Sequence, residues 1–287
     1  MKPLFYIISM LPKSLFVYLV DFYLYTKLYK FFKTYKVTKI NIKIAFPDLN
    51  RRDVEQVSKL SIRESIISGF ETIFTWGRNE IQSNSKIFKI KNNFLLKKLY
   101  EDGNGLIAVA IHNRSVDMLL KWINSNITTV SLYKKVKNKS LEKFVKKDRE
   151  STGSTSVETS IGGVRKIFKA LKKNKAICFA ADQVPQRGLG EYVKFFNREA
   201  YTTTLVQSLA IRTNAPVLYF YINSNKSNFL SVTLKQCNES IYDDSKHTLL
   251  LNNDIENIIN SRPIDYSWEY KRFKRSRYPD KDPYSSI

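Results

Sequence analysis

From Leu106 onward the chain alternates short apolar runs with stretches of helical periodicity. The apolar runs lie at residues 106–111, 128–133, 176–181, 217–222 and 229–234. The helical patterns between them lie notably at residues 140–147, 162–173 and 203–212. This alternation predicts an α/β fold with a central, mostly parallel sheet flanked by helices. Since sites in such sheets form beyond the carboxyl ends of the strands, residues that directly follow a predicted strand are of functional interest.

His112 directly follows the first of these strands, and Asp117 comes five positions later. The chain has only one other histidine, His247, so general-base chemistry near neutral pH points to His112 by composition. On a continuous helix residues five apart would lie about 140° apart, so the pair meets only if the chain turns between them. We interpret Asp117 as the carboxylate that holds the imidazole. The structural alternative, a loop histidine with an acid nearby by chance, stays open.

A second informative segment surrounds Asp182, which also directly follows a predicted strand. It continues through a loop that contains Pro185 and Arg187, and then through a Phe-Phe pair and a threonine triplet that opens a predicted helix. Such a segment is suited to form a pocket wall. Each element also has an ordinary structural explanation, because Asp182 could simply brace the loop and the phenylalanines could belong to the core.

The charge of the chain is strongly unbalanced, with 48 Lys and Arg against 26 Asp and Glu in 287 residues, a formal net charge of +22. This excess favours a polyanionic partner, which could be nucleic acid, an anionic membrane surface or an acidic carrier protein. The two cysteines, Cys178 and Cys237, have neither metal-site nor disulfide-framework spacing.

Residues 4–32 are apolar and aromatic but are interrupted by charged residues, so no window of 18 residues is free of charge. The pattern indicates an anchor that lies in the membrane interface or a marginal single span, with a buried amphipathic helix as the alternative. Near the other end, basic residues interleaved with Trp268, Tyr270 and Phe273 predict a second interfacial anchor. Basic and aromatic residues can also bind single-stranded nucleic acid, but nothing else in the chain resembles a nucleic-acid module.

Several motifs, taken in order, resemble the late acyltransferases of lipid A biosynthesis, the lauroyl/myristoyl transferase family. The resemblance runs over nearly the whole chain and comprises NIKIAFPDLN at 41–50, Glu71 in a helix, the His-x4-acid block at 112–117, GGVRKIFKALKKNKAICFAADQ at 162–183, VKFFNREAYTTT at 193–204 and RPIDYSWEYKRFKRS at 262–276. Two departures stand out. The family usually has a Gly-Asn-Trp-Glu type ending after the histidine, where this chain has Arg114 to Asp117, and commonly a histidine where this chain has Tyr270.

The resemblance implies a glycerolipid-acyltransferase-like fold, with residues 1–36 as a hydrophobic membrane anchor and residues 37–287 as the acyltransferase domain. It implies acyl transfer from an acyl carrier protein thioester to a hydroxyl of a lipid A precursor, in lipopolysaccharide biosynthesis at the cytoplasmic face of the bacterial inner membrane. We expect no metal or other cofactor.

In this chemistry His112 would be the general base and Asp117 would fix its tautomer. Backbone N–H groups at the start of the helix that contains Asp117 could stabilise the oxyanion. For substrate binding we expect Arg165, Asp182 and Arg187, with Asp182 orienting Arg165 or the acceptor sugar. Two alternatives remain, an acyltransferase for another lipid such as a lysophospholipid or an aminolipid, and a non-catalytic, basic, membrane-peripheral binding protein.

Overall fold

The computed structural model describes residues 2–243, 247–278 and 282–287, and the side chains of Lys2 and His247 lie outside this description. The α-helices are α1 Lys2–Ser9, α2 Lys13–Tyr25, α3 Lys33–Ala45, α4 Arg51–Gly77, α5 Glu80–Asn84, α6 Phe94–Glu101, α7 Val116–Asn126, α8 Lys139–Arg149, α9 Ile161–Leu171, α10 Leu205–Thr213 and α11 His247–Ser261. The strands are β1 Ile87–Lys91, β2 Leu106–Ala110, β3 Thr129–Tyr133, β4 Thr155–Glu158, β5 Ala176–Ala180, β6 Gly190–Phe195, β7 Arg198–Thr203, β8 Val217–Ser224 and β9 Leu230–Gln236.

A seven-stranded sheet with the order β1-β9-β8-β2-β5-β3-β4 forms the centre of the fold. Its neighbouring strands are parallel, except for the antiparallel pair β8 and β9. Helices cover it, so the predicted α/β class with a mostly parallel sheet is confirmed. All five predicted strands are present. The sequence patterns did not reveal the two edge strands of this sheet, β1 and the polar β4.

The middle strands are buried on both faces, which explains why they appear in the sequence as continuous apolar runs. Along β2, Ile107 and Val109 contribute to the hydrophobic core on one face. Leu106, Ala108 and Ala110 contribute to the core on the other face. The period of two follows from strand geometry, and it leaves the carboxyl end of β2 as the place where the chain reaches a site.

The N-terminal helices pack on the long helix α4. On α2, Val20 and Leu24 are buried in a cluster with Ile67 of α4. Its other face exposes large apolar side chains, among them Tyr18 and Phe22. Among the described residues, no single helix has the length and apolarity to cross a membrane. The pair α1 and α2 meets those criteria only when taken together, and the two are bent by 84° at the break between them. The predicted domain boundary at residue 36 falls within α3.

The C-terminal basic and aromatic run, predicted as an interfacial anchor, lies partly inside the core. Trp268 is 1 % exposed, Arg272 2 % and Phe273 1 %. The buried Arg272 guanidinium donates to the Tyr201 carbonyl and to the Thr202 hydroxyl, both at 2.8 Å. Hydrogen bonds from Nη1 and Nη2 hold this arginine inside the core, where a pattern of residue types places it on the surface. Lys274 and Arg277 of the same run are exposed, and an anchor formed by them stays a prediction.

The segment that follows β5 is a loop and then the antiparallel hairpin β6–β7. A minority of its side chains, mainly near the end of β7, belong to the core. Phe195 is fully buried, and the Thr202 hydroxyl and the Asn252 side chain hydrogen-bond to each other. Of the threonine triplet predicted to open a helix, Thr202 and Thr203 end β7, and Thr204 is the N-cap residue of α10, which begins at Leu205.

Candidate active site

His112 and Asp182 are brought together by the register of two neighbouring strands. Strands β2 and β5 pair in parallel, with Ala110 opposite Ala180. Each of the two functional residues comes two positions beyond its paired alanine. The carboxyl ends of parallel strands meet at one edge of a sheet, and the two side chains therefore extend from adjacent points of that edge.

The imidazole of His112 is held on one side and open on the other. Its Nδ1 lies 2.7 Å from Oδ1 of Asp182, and the backbone N–H of His112 donates to Oδ2 at 3.2 Å. Burial, and next the negative charge of Asp182, raise the pKa of the nearby Tyr266 hydroxyl. Within the described chain no residue hydrogen-bonds to Nε2, and the His112 side chain is 24 % exposed. The carboxylate thus fixes the ring with Nε2 free to accept a proton.

Electrostatics favour the charged form of each partner. Burial lowers the pKa of His112, but the negative charge and hydrogen bond of Asp182, with the charges of Glu269 and Asp117, outweigh it and raise the pKa above its ordinary value. Burial raises the pKa of Asp182, but the charge and hydrogen bonds of His112 outweigh it and leave the pKa below its ordinary value. The pair is therefore suited to stabilise an imidazolium.

Asp117 does not hold the imidazole as its spacing predicted. It lies in the first turn of α7, and its Oδ1 accepts from Nε and Nη2 of Arg149, both at 2.8 Å. Nδ1 of His112 is already taken by Asp182. The helix that starts at Val116 turns the Asp117 side chain toward the end of α8, where Arg149 lies. Asp117 nevertheless remains near enough for its charge to act on His112.

Glu269 is a further carboxyl group near His112 that the sequence patterns missed. Its Oε1 accepts from the Ser65 hydroxyl at 2.8 Å, while the buried Oε2 has no hydrogen-bond partner among the described residues. Burial raises the pKa of Glu269 above its ordinary value, although the positive charge of His112 acts to lower it. The next residue, Tyr270, accepts from the Val184 N–H at 3.1 Å, so it braces the loop after Asp182.

Arg165 and Arg187, the other predicted substrate-binding residues, make no hydrogen bond to His112 or Asp182 in the described structure. Arg165 is exposed on the second turn of α9, and Arg187 is exposed on the loop after β5. Neither hydrogen-bonds to another part of the described chain. Asp182 contacts His112 rather than Arg165, so its predicted role toward that arginine is not what the structure shows.

The start of α7 lies immediately beyond His112 and offers backbone donors. Ser115 caps the helix by accepting from the Met118 N–H at 3.2 Å. The Leu119 N–H donates to the Ser115 carbonyl at 3.1 Å. The cap leaves the N–H groups of Val116 and Asp117 as donors without an acceptor in the described structure. An anion that forms beside His112 would meet these donors at the positive end of the helix.

A parallel-sheet α/β fold with an imidazole–carboxylate pair at the carboxyl edge, and with one ring nitrogen open, defines a site for proton transfer to and from a substrate. The family model described as bacterial lipid A biosynthesis acyltransferase matches residues 4–275, and the chain belongs to this family. Two relatives agree with it, a lipid A biosynthesis palmitoleoyltransferase of Escherichia coli (strain K12) and a lipid A biosynthesis acyltransferase of Shigella flexneri. Each is 21 % identical over 241 residues, which cover 83 % of this chain and 78 % of the relative. The resemblance seen in the motifs is thereby confirmed.

Proposed function

We propose that the protein transfers a fatty acyl chain from an acyl carrier protein thioester to a hydroxyl of a lipid A precursor, at the cytoplasmic face of the bacterial inner membrane. Membership of the family supports acyl transfer in lipid A synthesis. The observation that carries the chemistry is His112, whose Nδ1 is held by Asp182 while Nε2 is open. A hydroxyl is a weak nucleophile at neutral pH, and a base placed in this way activates it.

In the proposed reaction Nε2 of His112 takes the hydroxyl proton as the oxygen attacks the thioester carbonyl carbon. The new C–O bond forms, and the carbonyl electron pair moves onto its oxygen. The tetrahedral intermediate then collapses, the C–S bond breaks, and the carrier thiolate takes the proton back from the imidazolium. Protons and electrons balance without a further reactant, and the acyl chain passes directly from carrier to acceptor.

Three groups support this sequence of steps. Asp182 stabilises the imidazolium, as the raised pKa of His112 indicates. The N–H groups of Val116 and Asp117 would receive the oxyanion. The Asp117 carboxylate, whose charge acts on His112, holds the Arg149 guanidinium, and that positive charge would attract an anionic substrate group.

The exposed cations Arg165 and Arg187 remain our proposal for phosphate contacts of the lipid A precursor. Both lie on segments that follow the carboxyl ends of strands, Arg165 after β4 and Arg187 after β5. An acyl carrier protein is acidic, so the net charge of +22 would attract both substrates.

We further propose that α1 and α2 lie in the membrane interface as the anchor of residues 1–36. The inner face of α2 is packed on α4 through Val20 and Leu24, and its outer face is also apolar, with Tyr18 68 % and Phe22 62 % exposed. A surface helix that is apolar on both faces gains from a second apolar environment, which a bilayer interface supplies.

The burial of Arg114 weakens the argument for a different acceptor that rests on the sequence of residues 114–117. Arg114 replaces the glycine of the family's usual ending, but its side chain is fully buried. It cannot touch an acceptor from there, so the departure at this position says nothing against a lipid A precursor.

The test is acyl transfer by the purified protein in mixed micelles, from a labelled acyl carrier protein thioester to a tetra-acylated lipid A precursor or to lysophospholipids. We expect transfer to the lipid A precursor. Transfer to a lysophospholipid alone would replace the acceptor in our proposal. If no acceptor is acylated while the protein still binds the micelles, a membrane-peripheral binding protein becomes the better account.

A further inference from the structure

A buried cluster of charges lies behind the loop that carries His112. At its centre is Arg114, whose side chain is fully buried. Its guanidinium pairs with Glu64 and Glu71 of α4, and it lies 3.6 Å from Oδ1 of Asp265. One guanidinium thus stands among three buried carboxylates, an arrangement that holds each of them in a fixed place.

The backbone of Arg114 is fixed to the same surroundings. Its φ of +56° lies in the left-handed region, which arginine adopts only when its contacts outweigh the strain. Its N–H donates to the Asp265 carbonyl at 2.9 Å. Next to it, the His112 carbonyl accepts from the Ser267 N–H at 3.0 Å. The turn between the base and α7 is therefore held by residues 265–267 and by the buried charges together.

Two chains of ion pairs lead from Arg114 to helix α2. In the first, Lys13 at the start of α2 lies 2.9 Å from Oε1 of Glu71 and also donates to the Asn228 carbonyl at 2.9 Å. Glu71 is thus shared between α2 and Arg114.

In the second chain, Asp21 of α2 accepts from Nε and Nη2 of Arg63. Nη1 of Arg63 donates to Oε1 of Glu64 at 2.7 Å. Glu64 in turn holds Arg114. Glu64 and Glu71, the two carboxylates of α4 that pair with Arg114, are therefore also the two that α2 contacts, directly through Lys13 and through Arg63 from Asp21.

We propose that Arg114 is a positioning residue through which the docking of α2 on α4 sets the orientation of His112. The inference rests on the proposed function, because it concerns the base of that reaction and the helix assigned to the membrane interface. When Lys13 loses its charge, the buried Glu71 carboxylate loses part of its compensation and Arg114 shifts toward it. The turn between His112 and α7 then moves with Arg114, and the open Nε2 leaves its productive position.

The primary variant is Lys13→Met, which keeps an apolar stem but removes the ion pair with Glu71. The matched control is Lys39→Met. Lys39 is 35 % exposed beside 32 % for Lys13, and it pairs with Glu55 of α4 at 3.0 Å, outside the chains that reach Arg114. Arg114→Lys tests the centre of the buried charge cluster directly. A lysine ammonium keeps the positive charge but lacks the planar guanidinium, whose several N–H donors reach more than one carboxylate.

Two readouts are needed for each variant. The first is the titration of the His112 imidazole by NMR, which is tractable because the chain has two histidines. The second is kcat and KM for acyl transfer in mixed micelles. For Lys13→Met and Arg114→Lys we expect a displaced His112 titration and a kcat lowered roughly 2- to 30-fold with little change in KM. Lys39→Met should match the wild type in both.

The inference is overturned if Lys13→Met and Arg114→Lys match Lys39→Met in titration and in kcat, even when they lower the melting temperature. The cluster would then be purely structural. Failure of the proposed function is distinguishable, because it appears as a wild-type protein that transfers no acyl group, while the imidazole titration still tests the coupling.

Discussion

His112 and Asp182, 70 positions apart in the sequence, lie in hydrogen-bond contact because both follow strands that pair in register. The contact joins Nδ1 to Oδ1 at 2.7 Å. This contact requires that the ends of β2 and β5 keep their positions, and the hydrophobic cores on the two faces of the sheet hold them there. A carboxylate at that place orients the ring and raises its pKa, so the pair can exchange a proton with a substrate through Nε2.

Asp182→Asn tests the electrostatic part of this relationship. The base must be neutral, so the rate falls as the pH drops through the pKa of His112. In the wild type this acid limb should lie above the ordinary histidine value of about 6.5, because the pKa is raised. Removing the carboxylate removes the main charge that raises it, so the limb should move to lower pH and the maximal rate should fall roughly 10²- to 10⁴-fold. The pH dependence of kcat/KM measures both, and an acid limb unchanged in the variant would contradict the pairing.

Asp117 and Arg149 should behave as a unit. The single changes Asp117→Asn and Arg149→Met each break the same ion pair, so the double variant should lose less activity than the two losses combined. The coupling should amount to about 0.5–3 kcal/mol in a double-mutant cycle on kcat/KM. Strictly additive losses would show that the two side chains act separately.

The packing of α1 on α4 can be tested at two glycines of the same helix. A Cβ at Gly77 would lie 2.5 Å from the Phe5 carbonyl oxygen, whereas a Cβ at Gly69 would meet no heavy atom within 4 Å. Gly77→Ala should therefore destabilise the protein by about 1–3 kcal/mol through displacement of α1. Gly69→Ala, the matched control, should stabilise it by up to about 1 kcal/mol. Thermal or denaturant unfolding measures the difference, and equal effects at both positions would contradict the docking of α1.

The apolar face of α2 should determine binding to lipid vesicles. Replacing Tyr18 and Phe22 together by serine removes two exposed aromatic side chains and should weaken partition into anionic phospholipid vesicles at least roughly tenfold. Ile211→Ser, at a partly exposed apolar residue of α10, serves as the control and should bind like the wild type. Vesicle sedimentation measures the partition. Unchanged binding by the Tyr18 and Phe22 variant would place the membrane contact elsewhere.

The sequence patterns predicted the sheet well because buried parallel strands are continuous apolar runs. They also placed His112 and Asp182 at strand ends. They did not reveal that β2 neighbours β5 rather than β3, since strand order is set by packing across the whole domain. For this reason the sequence favoured Asp117, the nearer acid, as the partner of His112. Arg149 was missed because it lies on a helix rich in solvated basic residues, and only the fold shows that it turns toward Asp117.

The most direct test of the central claim is single-turnover acyl transfer from the acyl carrier protein thioester to the lipid A precursor, comparing wild type with His112→Ala. Circular dichroism should first show that the variant is folded. The account predicts that the wild type forms the acylated product and that the variant loses essentially all of this rate while it still binds micelles. Transfer by folded His112→Ala at a rate close to that of the wild type would contradict the assignment of His112 as the base.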